Sequence, residues 1–368
     1  MHRIFLALLI VALAACDDPS PVGIDLVDEQ SGTPYVLEVP SSQPESSAVL
    51  EATGNAARAL FGTVDDPLLG RTETRGYVDF VAPTVLTQNF ENTPIEAASL
   101  LLLTDYVYGD SVSEITVSLR SVDLEWSGTG ATSDTTIFVG DVVTESLQRP
   151  QSGVFEIPLP QDWVAQWDTT MRGTTFADAF HGFELSTTTS SAVIGTQVLG
   201  SSIRAIAAGD TSFFSAGRSL TRVIDPTGPS AVPAGYVLQD GQGLAAAFRP
   251  QLGQRPTAVL NRGIVRIPAD TSLSVDTPHA FARPPIETLQ LDWISLDGTR
   301  TAIAAAVRGS THFEFESIQL HDSLSVFLQG GGGLDRLQVR VPDQENTLSV
   351  ILLPTPPVLH LAVTPVQQ

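Results

Sequence analysis

The stretch Ser99-Leu100-Leu101-Leu102-Leu103-Thr104-Asp105-Tyr106-Val107-Tyr108, followed beyond Gly109-Asp110 by Ile115-Thr116-Val117-Ser118-Leu119-Arg120-Ser121-Val122, decides the fold class. In its second part Ile115, Val117 and Leu119 alternate with Thr116, Ser118 and Arg120, the pattern of a strand with one buried face. Its first part is apolar on both faces over the four leucines, which suits a central strand. Gly109-Asp110 between them reads as a hairpin turn. Outward from this pair, similar runs recur at residues 77–81, 135–143 and 154–157. After a break they resume at 235–238, 258–267, 288–296, 301–307, 312–315, 323–328, 336–341, 348–353 and 358–363. Gly, Pro, Asp and Ser punctuate the runs, and sustained helical periodicity is rare, so the chain is expected to be all-β.

Two short helices are expected to interrupt the strands. Residues 161–169 follow Pro160 and place Trp163 and Trp167 on one face, and residues 174–180 place Phe176 over Phe180. Both suit lids over a sandwich core. At 368 residues the chain exceeds the usual size of one domain. Its composition shifts at Asp225-Pro226-Thr227-Gly228-Pro229-Ser230, so two antiparallel β-sandwiches are expected, over 48–224 and 235–368, joined by a linker at 225–234. Jelly-roll and immunoglobulin-like topologies are both open.

The sequence holds 41 acidic residues against 19 basic ones, has no lysine and carries a net charge of −22. That balance argues against binding nucleic acid or anionic lipid through a basic face and favours cations or basic partners. The acidic, lysine-free composition fits a salt-adapted organism, and a GC-rich genome would replace lysine with arginine equally well.

Cys16, the single cysteine, closes Leu13-Ala14-Ala15-Cys16 after a basic start (His2, Arg3) and an apolar run too short to span a bilayer. Residues 1–15 therefore read as a lipoprotein signal peptide and Cys16 as the lipidated first residue of the mature chain. Each buried methylene of such an anchor contributes about 0.8 kcal/mol, so two or three acyl chains hold where one does not. With Cys16 acylated, no thiol is left for a disulfide, a zinc thiolate or a nucleophile. Residues 16–47 are rich in Asp, Glu, Ser and Pro and read as a flexible acidic tether, with Tyr35-Val36-Leu37 the one strand-like island.

Several segments together resemble the bacterial lipoprotein family defined by domain of unknown function 4270, found in Bacteroidetes and their relatives. Gly23-Ile24-Asp25-Leu26 is similar to its opening, and the run from Leu60 through Gly62, Asp65-Asp66-Pro67 and Gly70 to Thr72 is similar to its most recognisable motif. Gly235-Tyr236-Val237-Leu238-Gln239-Asp240-Gly241 and Val259-Leu260-Asn261-Arg262 resemble its second half. The resemblance implies an envelope location and a β-rich fold, with no activity attached. Asp17-Asp18 directly after the anchor resembles surface-sorting signals of this bacterial group, whereas in enteric bacteria an Asp there marks inner-membrane retention. The segment from Ala97 to Trp126 is also similar to jelly-roll modules of secreted carbohydrate-active proteins, some of which bind polysaccharide.

Candidate chemistry is sparse. Asp65-Asp66-Pro67 offers two carboxylates to a hard cation such as calcium, although Asp-Pro between Gly62 and Gly70 is first of all a turn signal. His312, Glu314 and Glu316 alternate with Phe313 and Phe315, which would suit a transition metal but is also the pattern of a half-solvated strand. Tyr106, Tyr108 and Trp126 are the candidate rings for a carbohydrate platform, against the usual place of such rings in a core. No nucleophile elbow, zinc helix or phosphate loop is present, and Gly330-Gly331-Gly332-Gly333 lacks a following helix. Carboxylate pairs for glycoside hydrolysis are defined by spatial separation, which sequence spacing does not carry. The expectation is a non-enzymatic, lipid-anchored binding or assembly module of the outer membrane, with its leaflet left open between surface display and the inner side, without a cofactor and with a polysaccharide or an envelope protein as partner. A carboxylate-dependent glycan hydrolase is the less favoured alternative.

Overall fold

The computed structural model describes residues 32–48, 53–66, 70–189, 191–224, 236–240, 244–268, 281–331, 333–342 and 347–366. The signal peptide, Cys16, Asp17-Asp18, Gly23–Leu26, Pro67, Gly332 and the linker at 225–234 lie outside the described residues.

The chain opens with β1 (Tyr35–Pro40), β2 (Glu45–Ala48), β3 (Arg58–Asp66), β4 (Gly70–Val81) and helix α1 (Gln88–Asn92). There follow β5 (Ala97–Asp110), β6 (Ile115–Val122), β7 (Val139–Gln148), β8 (Gly153–Pro158), α2 (Gln161–Met171), α3 (Phe176–Ala179), β9 (Phe183–Thr187), β10 (Ala192–Ala207) and β11 (Asp210–Ile224). The second half contains β12 (Tyr236–Gln239), β13 (Leu244–Phe248), β14 (Ala258–Pro268), β15 (Phe281–Ala282), β16 (Thr288–Ser295), β17 (Arg300–Val307) and β18 (His312–Phe315). It ends with α4 (Ile318–Leu328), β19 (Leu334–Arg340), β20 (Val350–Leu353) and β21 (Val358–Pro365).

The fold is all-β, built from large antiparallel sheets in sandwich arrangement. The sheet of the first half, extended at one edge by β15 from the second half, has the strand order β15-β5-β10-β11-β4-β9-β6-β7, with β3 on β10 and β4 and β8 on β5. Strands β5 and β6 stand far apart in that order, yet Leu100 and Leu102 of one share a core with Ile115, Val117 and Leu119 of the other. The sheet therefore wraps around its own core. As the apolar run implies, β5 is central, paired with β10 on one side and β8 on the other.

Strands β5 and β6 do not form the hairpin expected at Gly109-Asp110; β6 pairs instead with β7 and β9. Asp110 Oδ1 accepts the backbone N–H groups of Val112 (2.8 Å) and Ser113 (3.0 Å), a local turn that carries the chain between layers. Gly109 has φ +113°, and a Cβ there would lie 2.4 Å from the Ser191 carbonyl oxygen, so only glycine fits this crossing.

In the second half, the sheet β1-β21-β14-β18 faces the sheet β17-β16-β19-β13-β12-β20 across one core. Here the expected tether at 16–47 is corrected at its end: β1 pairs with β21 and β2 with β13. Val39 is buried against strands that follow it by some three hundred residues of chain, a contact that local composition cannot carry. Residues 323–328, expected as a strand, belong to helix α4. Leu320, Leu324 and Leu328 recur every four residues on its buried face, and the Ser317 hydroxyl caps it by accepting the Leu320 N–H at 2.9 Å. The strand expected at 135–143 is β7, displaced toward the C-terminus.

Candidate binding cleft

Helix α2 starts after Pro160, whose fixed φ suits a helix entry, and lays Trp163 and Val164 onto the first core. Trp163 and Trp167 lie one turn apart with ring centroids 6.3 Å from each other, and Trp167 meets Phe180 edge-on at 5.0 Å. Phe176 and Phe180 stack at 5.1 Å, so α2 and α3 are fastened to the sheet by aromatic contacts, as their spacing implied. Between α2, the end of β6 and the start of β7 lies an open cleft of about 730 Å³. Its lining includes Ser121, Asp123, Gly140, Asp141, Val142, Asp162, Trp163, Gln166, Trp167 and His181.

The cleft owes its shape to irregular pairing. The β6–β7 register shifts between Arg120 and Val122, and the Arg120 guanidinium donates from Nε (2.9 Å) and Nη2 (2.7 Å) to the Gly140 carbonyl, pinning the start of β7. A Cβ at Gly140 would stand 2.4 Å from Asp123 Oδ1 and 2.7 Å from Ser121 Oγ, so glycine leaves both polar side chains room over β7. Asp123, Asp141 and Asp162 are exposed and form no ion pair among the described residues; Asp162 Oδ1 accepts only the Trp163 N–H, at 2.9 Å. Trp163 is 5% exposed, and its indole N–H has no hydrogen-bond partner among the described residues. Of the four tryptophans, Trp126, Trp163 and Trp293 are buried and Trp167 is left half-buried at the cleft.

The residues expected to form a carbohydrate platform are elsewhere. Tyr106 and Tyr108 do share a face of β5, but that face is covered by Leu348 and Phe281 of the second half, leaving them 5% and 1% exposed. The Tyr106 hydroxyl accepts the Leu348 N–H at 2.9 Å, and Tyr108 donates to Asp66 Oδ2. Burial raises the pKa of both phenols, and for Tyr108 the Asp66 charge raises it further. Trp126 is buried as well. Its indole N–H donates to the His181 carbonyl (2.8 Å), Tyr77 meets it edge-on at 6.5 Å, and the Arg218 guanidinium lies 5.6 Å from its ring centroid. Tyr106 and Tyr108 are closed off by the second half and lie in a different cluster from Trp126, which is 7% exposed where it lines a cleft with Asn55, Glu125 and Arg218, so the three form no common platform and that expectation is corrected.

Asp65 and Asp66 end β3, and the motif around them is the β3–β4 hairpin, with Asp65 paired to Arg71 and Asp66 to Gly70 in register. Their side chains alternate across the strand, so they point apart. Asp65 is exposed, 4.0 Å from Arg71, whereas Asp66 is held by Arg283 through Nε (2.8 Å) and Nη2 (2.8 Å). The carboxylates expected to ligate a cation together are thus separated, one of them taken up by an arginine. On β18, Phe313 and Phe315 are buried, while Glu314 pairs with Arg266 (2.9 Å) of β14 and Glu316, just past the strand, with Arg262 (2.7 Å). Among the described residues no three His, Cys, Asp or Glu side chains gather as a metal site.

Other buried charges tie strands together. Glu184 accepts the Tyr77 hydroxyl at 2.7 Å beside Arg75, Asp292 accepts Arg340 Nε at 2.7 Å, and Asp240 accepts the N–H and hydroxyl of Thr347. Asp79, behind the cleft, has its pKa raised by burial against the lowering effect of the Phe80 N–H and Arg218. Sequence reading placed Trp163 and Trp167 on one helical face and passed over Asp162 and Gln166, which repeat the same four-residue spacing one position earlier. The β7 side of the cleft had no such signal, because its strand was expected several residues too early.

Comparison with protein-family models, with curated proteins and with solved structures finds no match to this chain.

Proposed function

We propose that this chain is a non-catalytic binding module of the cell envelope, anchored in the outer membrane through lipid on Cys16 and displayed at the surface. The observation that carries the binding part is a contrast between charged groups. Asp66, Glu184, Asp240 and Asp292 are buried and engaged by arginine, tyrosine or threonine, where they hold strands together. Asp123, Asp141 and Asp162 instead stand exposed around an open cleft with a half-buried indole. Concave sites of this size with a few polar groups around an aromatic wall suit ligand capture. The anchoring part rests on the run Leu13-Ala14-Ala15-Cys16 after a short apolar segment.

Metabolic labelling with an alkyne fatty acid tests the anchor. The full chain should take up label and sediment with outer membranes, and Cys16→Ser should lose the label and become soluble. Label retained in Cys16→Ser would overturn the assignment, and protection of the unmodified protein from protease added to intact cells would overturn surface display.

A further inference from the structure

The cleft between α2 and the start of β7 also restricts what it can hold. Its three carboxylates accept hydrogen bonds and cannot donate them when ionised, and no arginine is among its lining residues. Ser121, Gln166 and His181 are among the lining side chains that can donate, so the three carboxylates favour a ligand that brings donors of its own: hydroxyl groups, ammonium groups or both. A molecule of net charge −22 repels anions at long range, and three unpaired carboxylates at the mouth repeat that preference locally. Trp167 adds an apolar surface with a quadrupole that attracts cations lying over its face. Gln166, exposed one residue before it, supplies both a donor and an acceptor. A volume of about 730 Å³ is that of a compact ligand of a few rings rather than a folded partner.

Trp163 forms part of the wall with a ring that is 95% buried against Trp167, Phe180 and Phe183, so the cleft has a rigid aromatic floor beside the half-buried Trp167. Gly140 shapes the opposite wall, because its missing Cβ is what lets Asp123 and Ser121 lean over β7.

We propose that this cleft binds a non-acidic saccharide through hydroxyl and ammonium donors, taking an amino sugar in preference to a neutral one and excluding uronates. This deepens the envelope-binding reading and depends on it only for the setting in which the sugar is met.

The test is calorimetric titration of the folded chain lacking residues 1–16 with three probes: a glucosamine tetrasaccharide, cellotetraose and trigalacturonate. The expected order is glucosamine first, cellotetraose weaker, trigalacturonate without heat, with the gap between the first two narrowing as salt rises. Trp167→Ala and, separately, the paired change Asp141→Asn with Asp162→Asn should weaken glucosamine binding by at least about tenfold, the size of one lost charged hydrogen bond. The Asn variants change exposed side chains only, so they remain informative if Trp167→Ala unfolds. Gly140→Ala should weaken binding without unfolding, since the atoms it meets are the ends of movable side chains. Binding of trigalacturonate, no binding of either non-acidic probe, or glucosamine binding unchanged in the Asn variants would each overturn the proposal. The last of these would place the attraction on the acidic surface at large. Lack of sugar binding with fatty-acid labelling intact would sink the ligand class and leave the anchor standing, and the reverse result would do the opposite.

Discussion

Replacing Arg283 with methionine should be among the most damaging single changes to this molecule. Arg283 closes on Asp66 with two hydrogen bonds of 2.8 Å, and the two side chains are 13% and 1% exposed. Asp66 also accepts the Tyr108 hydroxyl, and the guanidinium lies 5.1 Å from the Phe281 ring centroid. Removing the arginine strands a carboxylate that is 1% exposed without its cation, a change that costs about 3–5 kcal/mol where a buried ion pair is broken from one side. Loss of the contact with Phe281 adds about 0.5–1 kcal/mol. With a urea slope of roughly 3 kcal/mol per M, the transition of the first sandwich should move down by about 1–2 M. Two controls identify the cause. Adding Asp66→Asn to Arg283→Met removes the stranded charge and should restore about half of the loss. Acidification from pH 7 to 5 should also narrow the gap to the unmodified protein. An unpaired buried carboxyl has its pKa raised on folding, so its protonated form stabilises the fold as pH falls. A loss below about 1 kcal/mol, or a double variant as unstable as the single one, would refute the reasoning that the buried charge sets the cost.

Further outcomes follow from the same structure. Leu102, fully buried in the first core, should cost about 2–5 kcal/mol as Leu102→Ala, read from the urea midpoint. Ser317→Ala removes the cap of α4 and should cost about 1 kcal/mol, seen as a lowered thermal midpoint of the second sandwich. Asp105 is desolvated, which raises its pKa, but hydrogen bonds from Arg58 and Gln197 outweigh that and hold it below the usual carboxylate range. Its stabilising effect is therefore complete above the unfolded pKa and is lost as pH falls through the lower folded one, so Asp105→Asn should flatten the stability curve on the acid side of the ordinary aspartate pKa of about 3.9.

The fold was legible where a strand is described by its own residues. The alternation of Ile115, Val117 and Leu119 defined β6 to the residue, and the four leucines of β5 announced a strand paired on both sides. What failed depends on partners distant in sequence. Alternation placed Tyr106 and Tyr108 on one face, but it could not show that Leu348 and Phe281, some two hundred residues later, cover that face. Val39 and its neighbours looked like a tether for the same reason, since their partners stand near the opposite end of the chain. Helix α4 was read as a strand because its apolar residues are dense enough to mimic one, although Ser317 and the 320, 324, 328 spacing carry the helical signal. In the cleft, the helical side was half visible through Trp163 and Trp167. The β7 side depends on a bulge and on Gly140, both set by tertiary pairing.

Hydrogen–deuterium exchange of the chain lacking residues 1–16, with and without saturating glucosamine tetrasaccharide, reports where the sugar sits. Exchange should slow only at the end of β6, the start of β7 and helix α2, around Asp123, Asp141 and Gln166. Protection centred on β5 near Tyr106 and Tyr108, or no protection at α2 while the sugar is bound, would contradict that placement.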